Sequence, residues 1–165
     1  MINDLLLNSL TTFYDKIDNF NQLNQILSNQ KKISLRLIDW FTTNYSKKYN
    51  IIYITYRDDN GNKTLNDTDE ICNQFNVYNS YKSQLKAYSK KQFDPFCRRE
   101  RLEFKCNGTC IHTTIGQLNF FKWIINNKIM DYIEMNIDDI ETDMNDSLKD
   151  IKKGYKKIDN IRKPR

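Results

Sequence analysis

The stretch RLEFKCNGTCIHT, residues 101–113, decides the fold class. Two runs of strand-forming residues flank Asn107 and Gly108, the pair that most favours a two-residue hairpin turn because both positions take positive φ. Such a turn fixes the register: Cys106 faces Thr109, Lys105 faces Cys110, Phe104 faces Ile111, and Glu103 faces His112. Side chains alternate across a strand, so Leu102, Phe104 and Cys106 share one face with Ile111 and Thr113, while Glu103, Lys105, Cys110 and His112 share the other. An apolar face opposite a polar one implies a hairpin with one side on a core.

Downstream, Leu118, Phe121, Ile125, Ile129, Ile133, Ile137, Ile140, Met144, Leu148 and Ile151 recur every three or four residues. That spacing predicts helix, with breaks near Asn126, Asn127 or Asn136. Thr113 or Thr114 can cap its start, and Gln117 completes a capping-box pattern behind Thr114. Upstream, IIYITYR (51–57) is β-branched and aromatic and runs into the turn-forming DDNGNK, so it reads as a strand feeding a loop or hairpin. Asn66–Asn73 is polar and reads as irregular, FNVY (75–78) as a short strand, and Ser80–Tyr88 as a helix that stops before Asp94 and Pro95.

Ser34 can cap a helix through Leu35, Leu37, Ile38, Trp40 and Phe41, ending near Asn44 or Tyr45. Before it, Leu6, Leu10, Phe13, Ile17, Phe20 and Leu27 form a helical stripe that either packs on its own domain or seals a short coiled-coil dimer. The expected architecture is α+β: a small antiparallel sheet including the hairpin at Asn107–Gly108, packed with an N-terminal helix and a C-terminal helical region. One domain is expected over residues 1–155, with a basic, poorly ordered tail over 156–165.

Asn, Ile, Lys and Tyr supply 70 of the 165 residues, whereas Ala and Val occur once each, a bias that AT-rich codons produce. The same bias generates Asn-x-Ser/Thr patterns by chance, at Asn44, Asn62, Asn66, Asn107 and Asn145, and none is read as glycosylated. The N-terminal stretch lacks an uninterrupted apolar core for a signal peptide, and no run approaches the roughly 20 apolar residues of a membrane span, so no membrane partner is expected. Cys72, Cys97, Cys106 and Cys110 are accordingly expected as reduced thiols.

The net charge of +5 is distributed in blocks. Residues 79–106 carry eight bases against three acids, residues 131–148 carry seven acids and no base, and residues 149–165 carry eight bases against two acids. Lys82, Lys86, Lys90 and Lys91 recur at about helical spacing and would line one side of a helix, followed by Arg98, Arg99 and Arg101 on the turn and strand. These seven are the candidate nucleic-acid-binding residues, able to neutralise phosphates of DNA or RNA. Tyr81, Tyr88, Phe93, Phe96 and Phe104 could stack on bases, although Phe93, Phe96 and Phe104 are expected in the core. The acidic segment is the rival occupant of the same basic surface, within one molecule or between two.

Cys97, Cys106, Cys110 and His112 are the weak candidates for a metal site. The hairpin turns Cys106 and Cys110 to opposite faces, which argues against a knuckle, and no metal or other cofactor is expected. With one histidine and four scattered glycines, the chain offers neither a triad nor a phosphate-cradling loop, and a non-enzymatic role is expected.

The stretch from Tyr81 to Met144, about two fifths of the chain, and in it especially YKSQLKAYSKKQFDPFCRRERLEF, TTIGQLNFFKWIINNKIMDYIEMN and the DDIETDMN that follows, resembles an uncharacterised protein family of nucleocytoplasmic large DNA viruses, the mimivirus-like giant viruses. The resemblance implies a viral protein made in the host cytoplasm, at the virus factory, with the virion as a further destination and other viral proteins as partners. It brings no catalytic residues. The function expected is that of an accessory or virion-associated protein whose basic surface contacts nucleic acid or acidic partners. The alternative is a structural scaffold that forms homo-oligomers through the N-terminal helix.

Overall fold

The computed structural model describes residues 4–28 and 33–162, with side chains as far as residue 154. It is a mixed helix and sheet fold. Helix α1 (Asp4–Tyr14) and helix α2 (Ile17–Leu27) replace the single N-terminal helix. The chain breaks at Asp15 and Lys16, where the Asn19 side-chain amide donates back to the Phe13 carbonyl at 2.9 Å and the Tyr14 hydroxyl donates to the Leu118 carbonyl at 2.6 Å. The break changes which residues face inward. Leu6, Leu10, Tyr14, Phe20, Leu23 and Ile26 are buried, whereas Ile17, a member of the expected stripe, is 53% exposed. Leu10 has no exposed surface and packs in this chain's own core.

Ser34 caps α3 (Leu35–Trp40) as expected, its hydroxyl accepting from the Leu37 amide at 3.1 Å. The helix does not end near Tyr45. It widens into a π-helical stretch, Phe41–Tyr45, and tightens again into α4 (Ser46–Lys48). The hydroxyls of Thr42 and Thr43 both donate to the Asp39 carbonyl, and that of Ser46 to the Thr42 carbonyl, so side chains support a turn whose own hydrogen-bond pattern is stretched.

Strands β1 (Ile52–Arg57), β2 (Lys63–Thr64) and β3 (Ile71–Asn76) form an antiparallel sheet in the order β2-β1-β3. The strand expected at 75–78 is therefore displaced toward the N-terminus, into the segment read as irregular. Val77 opens α5 (Val77–Ala87), because the Asn76 side chain accepts from the Asn79 amide and caps a helix there. A bulge at Thr55/Tyr56 hides the alternation of β3, and Asn73 satisfies Thr55, whose hydroxyl donates to its side-chain oxygen.

After α6 (Lys90–Phe93), strands β4 (Arg101–Cys106) and β5 (Thr109–Thr114) form the hairpin with every pairing in the predicted register. Asn107 and Gly108 both take positive φ, 51° and 76°. Thr114 caps α7 (Ile115–Asn126), accepting from the Gln117 amide at 3.1 Å. The helical region breaks at the asparagines: left-handed Lys128 follows Asn127, α8 (Ile129–Met135) ends at Asn136, and α9 spans Ile137–Arg162. The tail expected over 156–165 falls on residues whose side chains lie outside those described. Helix α7 is the axis of the core, with Leu118, Phe120, Phe121 and Ile124 fully enclosed. Among the described residues no helix is long and apolar enough to cross a membrane.

Candidate nucleic-acid interface

The basic segment is built on one aromatic anchor. Phe93 is fully enclosed and meets the rings of Tyr81, Tyr88, Phe120 and Trp123 at 5.5–6.4 Å between centroids. Around it α6 lies so close to α7 that a Cβ on Gly116 would stand 2.5 Å from the Asp94 carbonyl oxygen. The Asn119 side chain donates to the Gln92 carbonyl at 2.8 Å and ties the same two elements.

This clamp interrupts the lysine row. Lys82 and Lys86 stand on α5, but Tyr88 is extended, so Lys90 and Lys91 belong to a separate helix rather than to one continuous face. Their ammonium groups remain exposed, as do Arg98, Arg99 and Arg101. Among the described residues none of the seven forms an ion pair.

The turn after α6 sets the geometry of the arginines. The Asp94 side chain accepts from the Phe96 amide at 2.9 Å and its carbonyl accepts from the Cys97 amide at 3.2 Å, an Asx turn through the buried Pro95. Phe96, expected in the core, is thereby turned outward and is 50% exposed. Arg101 donates from Nε to the Arg98 carbonyl at 3.1 Å, and left-handed Glu100 (φ 55°) redirects the chain into β4.

Between this turn and the hairpin lies a cleft of about 750 Å³. Phe96 and Arg98 of the turn line it together with Arg101, Glu103 and His112 of the hairpin and Gln117 of α7. Gln117 accepts from the Thr113 hydroxyl at 2.8 Å, which fixes the helix start against the cleft. The cleft therefore collects two of the seven predicted bases. Arg99 and the four lysines stand outside it. What sequence reasoning missed is the exposure of Phe96, and the signal was Asp94 two residues earlier, an Asx-turn former before a ring.

The weak metal candidates are separated by the hairpin. Cys97 and His112 line the cleft, Cys110 is exposed, and Cys106 is buried behind the sheet, where its thiol donates to the Tyr14 carbonyl at 3.0 Å. Burial pushes the Cys106 thiol pKa up, and the nearby Asp15 carboxylate pushes it the same way. His112 Nδ1 lies 3.8 Å from Glu103 Oε1, both side chains open to solvent. Among the described residues no three His, Cys, Asp or Glu side chains converge as metal ligands would.

One residue of the acidic segment is engaged elsewhere. Asp143, buried on α9, accepts from Lys48 Nζ at 2.6 Å, from Trp40 Nε1 at 3.0 Å and from the Tyr49 hydroxyl at 3.2 Å. Burial raises its pKa, but the hydrogen bonds from Lys48 and Trp40 together with the Lys48 charge prevail and hold it below the ordinary carboxylate value. Its partners flank the π-helical segment on both sides, and none comes from residues 79–106.

The chain matches the model of the "Family of unknown function (DUF7197)" over residues 2–163, and it belongs to that family. It is 41% identical over 131 residues to "Uncharacterized protein L507" of Acanthamoeba polyphaga mimivirus. The match takes in 76% of this chain and 46% of the relative, so the chain spans about half the length of that curated protein. No solved structure matches.

Proposed function

We propose that this member of the family is a non-enzymatic viral accessory protein that contacts nucleic acid through the arginine-bearing cleft and the lysines beside it. The observation that carries the reading is Phe96: a large ring held half in solvent by an Asx turn, in a cleft that also holds the guanidinium groups of Arg98 and Arg101, neither of which forms an ion pair among the described residues. A base can stack on such a ring while the arginines take the flanking phosphates, the combination used on single strands. His112 and Glu103 stand in solvent in the same cleft, a setting that favours binding contacts over general acid–base chemistry. Synthesis in the host cytoplasm, at the virus factory, and packaging in the virion belong to this proposal.

The test is a fluorescence-anisotropy titration of a labelled 20-nucleotide single strand and the matching duplex at low salt. Binding is expected to weaken at least tenfold when Arg98 and Arg101 are changed to alanine and to fall steeply as salt rises. No binding of either probe by the folded protein overturns the proposal. Retention of acidic protein partners, with neither probe bound, would assign the bases to protein contacts instead.

A further inference from the structure

Strand β3 is an open edge. In the order β2-β1-β3 it has no neighbour on its far side among the described residues. Natural edge strands are usually blunted by lysine, proline, inward charge or a bulge; β3 reads ICNQFN, without lysine, proline or charge, and its one bulge lies at its start, leaving Asn73–Asn76 regular. Val77 donates to the Ile51 carbonyl and Tyr53 pairs with Phe75, so alternation along the ladder turns the backbone N–H and C=O of Gln74 to the open side. Ile71, at the start of the strand, is 65% exposed.

The two ends of this edge carry opposite charge. Before β3 stand Asp67, Asp69 and Glu70, all exposed and outside any ion pair among the described residues. After it, in the first turn of α5, stands Tyr78, over whose ring Lys47 of α4 and Lys82 of α5 hold their ammonium groups, 5.5 and 5.8 Å from the centroid. An antiparallel strand of the same sequence would meet each end with its complement.

We propose that a second copy of this chain pairs along β3, about a two-fold axis through Gln74. Gln74 then stands opposite Gln74, and the acidic segment before β3 lies toward the start of the partner's α5, so acids face the lysine pair once at each end of one isologous contact. Two three-stranded sheets become one of six strands. This surface lies apart from the arginine cleft and shares with the proposed nucleic-acid surface Lys82 alone.

Light scattering coupled to size exclusion reads the mass directly. Wild type at micromolar concentration is expected as a dimer that Gln74→Pro, which removes an edge N–H, converts to monomer. Two charge-reversed variants sharpen the test: Asp69→Lys with Glu70→Lys, and Lys47→Glu with Lys82→Glu. Each alone sets like charges against each other and is expected as a monomer, whereas an equimolar mixture restores attraction at both ends and forms a heterodimer. The mixture also guards against misfolding, since an unfolded variant could not be rescued. A monomeric wild type, a dimer indifferent to Gln74→Pro or to either reversal, or a mixture that stays monomeric overturns the proposal.

Discussion

Two helical glycines should respond to alanine with opposite signs. Gly116 sits in the first turn of α7, and a Cβ there would lie 2.5 Å from the Asp94 carbonyl oxygen and 3.3 Å from the Lys91 carbonyl oxygen. Both are backbone atoms of an element already clamped by Phe93, so neither can swing aside as a side chain would. Overpacking of this kind costs about 1–3 kcal/mol, against which alanine's helix preference returns about 1 kcal/mol at most, and less in a first turn. Gly116→Ala should therefore destabilise by about 1–2 kcal/mol, a drop of about 2–8 °C in Tm for a chain of this size. Gly154 on α9 has no atom within 4 Å of the same position. Its replacement by alanine should raise stability by about 0.5–1 kcal/mol through helix preference alone. Urea and thermal unfolding of both variants decide the matter. A Gly116→Ala protein as stable as wild type would refute the close approach of the Asp94 turn to α7, and with it the geometry of the cleft.

Three further perturbations test other parts of the structure. Burial, and then Asp94, raise the Asp39 pKa to about 6. The folded state thus holds a proton that the unfolded state releases, and stability falls from about pH 4 to pH 6 and is flat above that window. Asp39→Asn removes the penalty, and with allowance for its partial exposure the gain should be about 1 kcal/mol at pH 7 and vanish near pH 4; an equal gain at both values in urea unfolding would contradict this assignment. Phe96→Ala should leave stability within about 0.5 kcal/mol, since the ring is half exposed, while costing about 1–3 kcal/mol of single-strand binding by anisotropy. Leu10→Asp should abolish folding as judged by circular dichroism, because it places a carboxylate at a fully enclosed position, whereas Ile17→Lys should stay folded with unchanged mass.

Where a feature depends on neighbours in sequence, the chain displayed it. Asn107–Gly108 dictates a turn, the turn dictates register, and the register placed Glu103 beside His112 and Cys106 opposite in face to Cys110. The helix breaks at Asn127 and Asn136 and the caps at Ser34 and Thr114 are equally local. What depended on distant partners stayed hidden. The split between α1 and α2 follows from Tyr14 reaching Leu118, and no residue at Asp15 or Lys16 is a helix breaker. Strand β3 looks polar because one of its faces meets solvent and a bulge offsets its rhythm. Phe96 has the composition of a core residue, and its exposure follows from a hydrogen bond to Asp94 and from Phe93 already filling the space beneath.

The cleft inherits its rigidity from the most enclosed helix of the molecule. The α6 wall is tied to α7 at Asn119 and pressed on it at Gly116, and the hairpin wall enters the same helix through Thr113, Thr114 and Gln117. Both walls therefore share one support, whose Leu118, Phe120 and Phe121 are fully buried. A strand seated between Phe96 and the hairpin would meet a backbone that is already fixed, so ordering losses on binding fall mainly on the exposed side chains of Arg98 and Arg101. It follows that truncating either arginine should weaken binding without moving the other wall, whereas Gly116→Ala, which shifts the common support, should disturb Phe96 and Gln117 together.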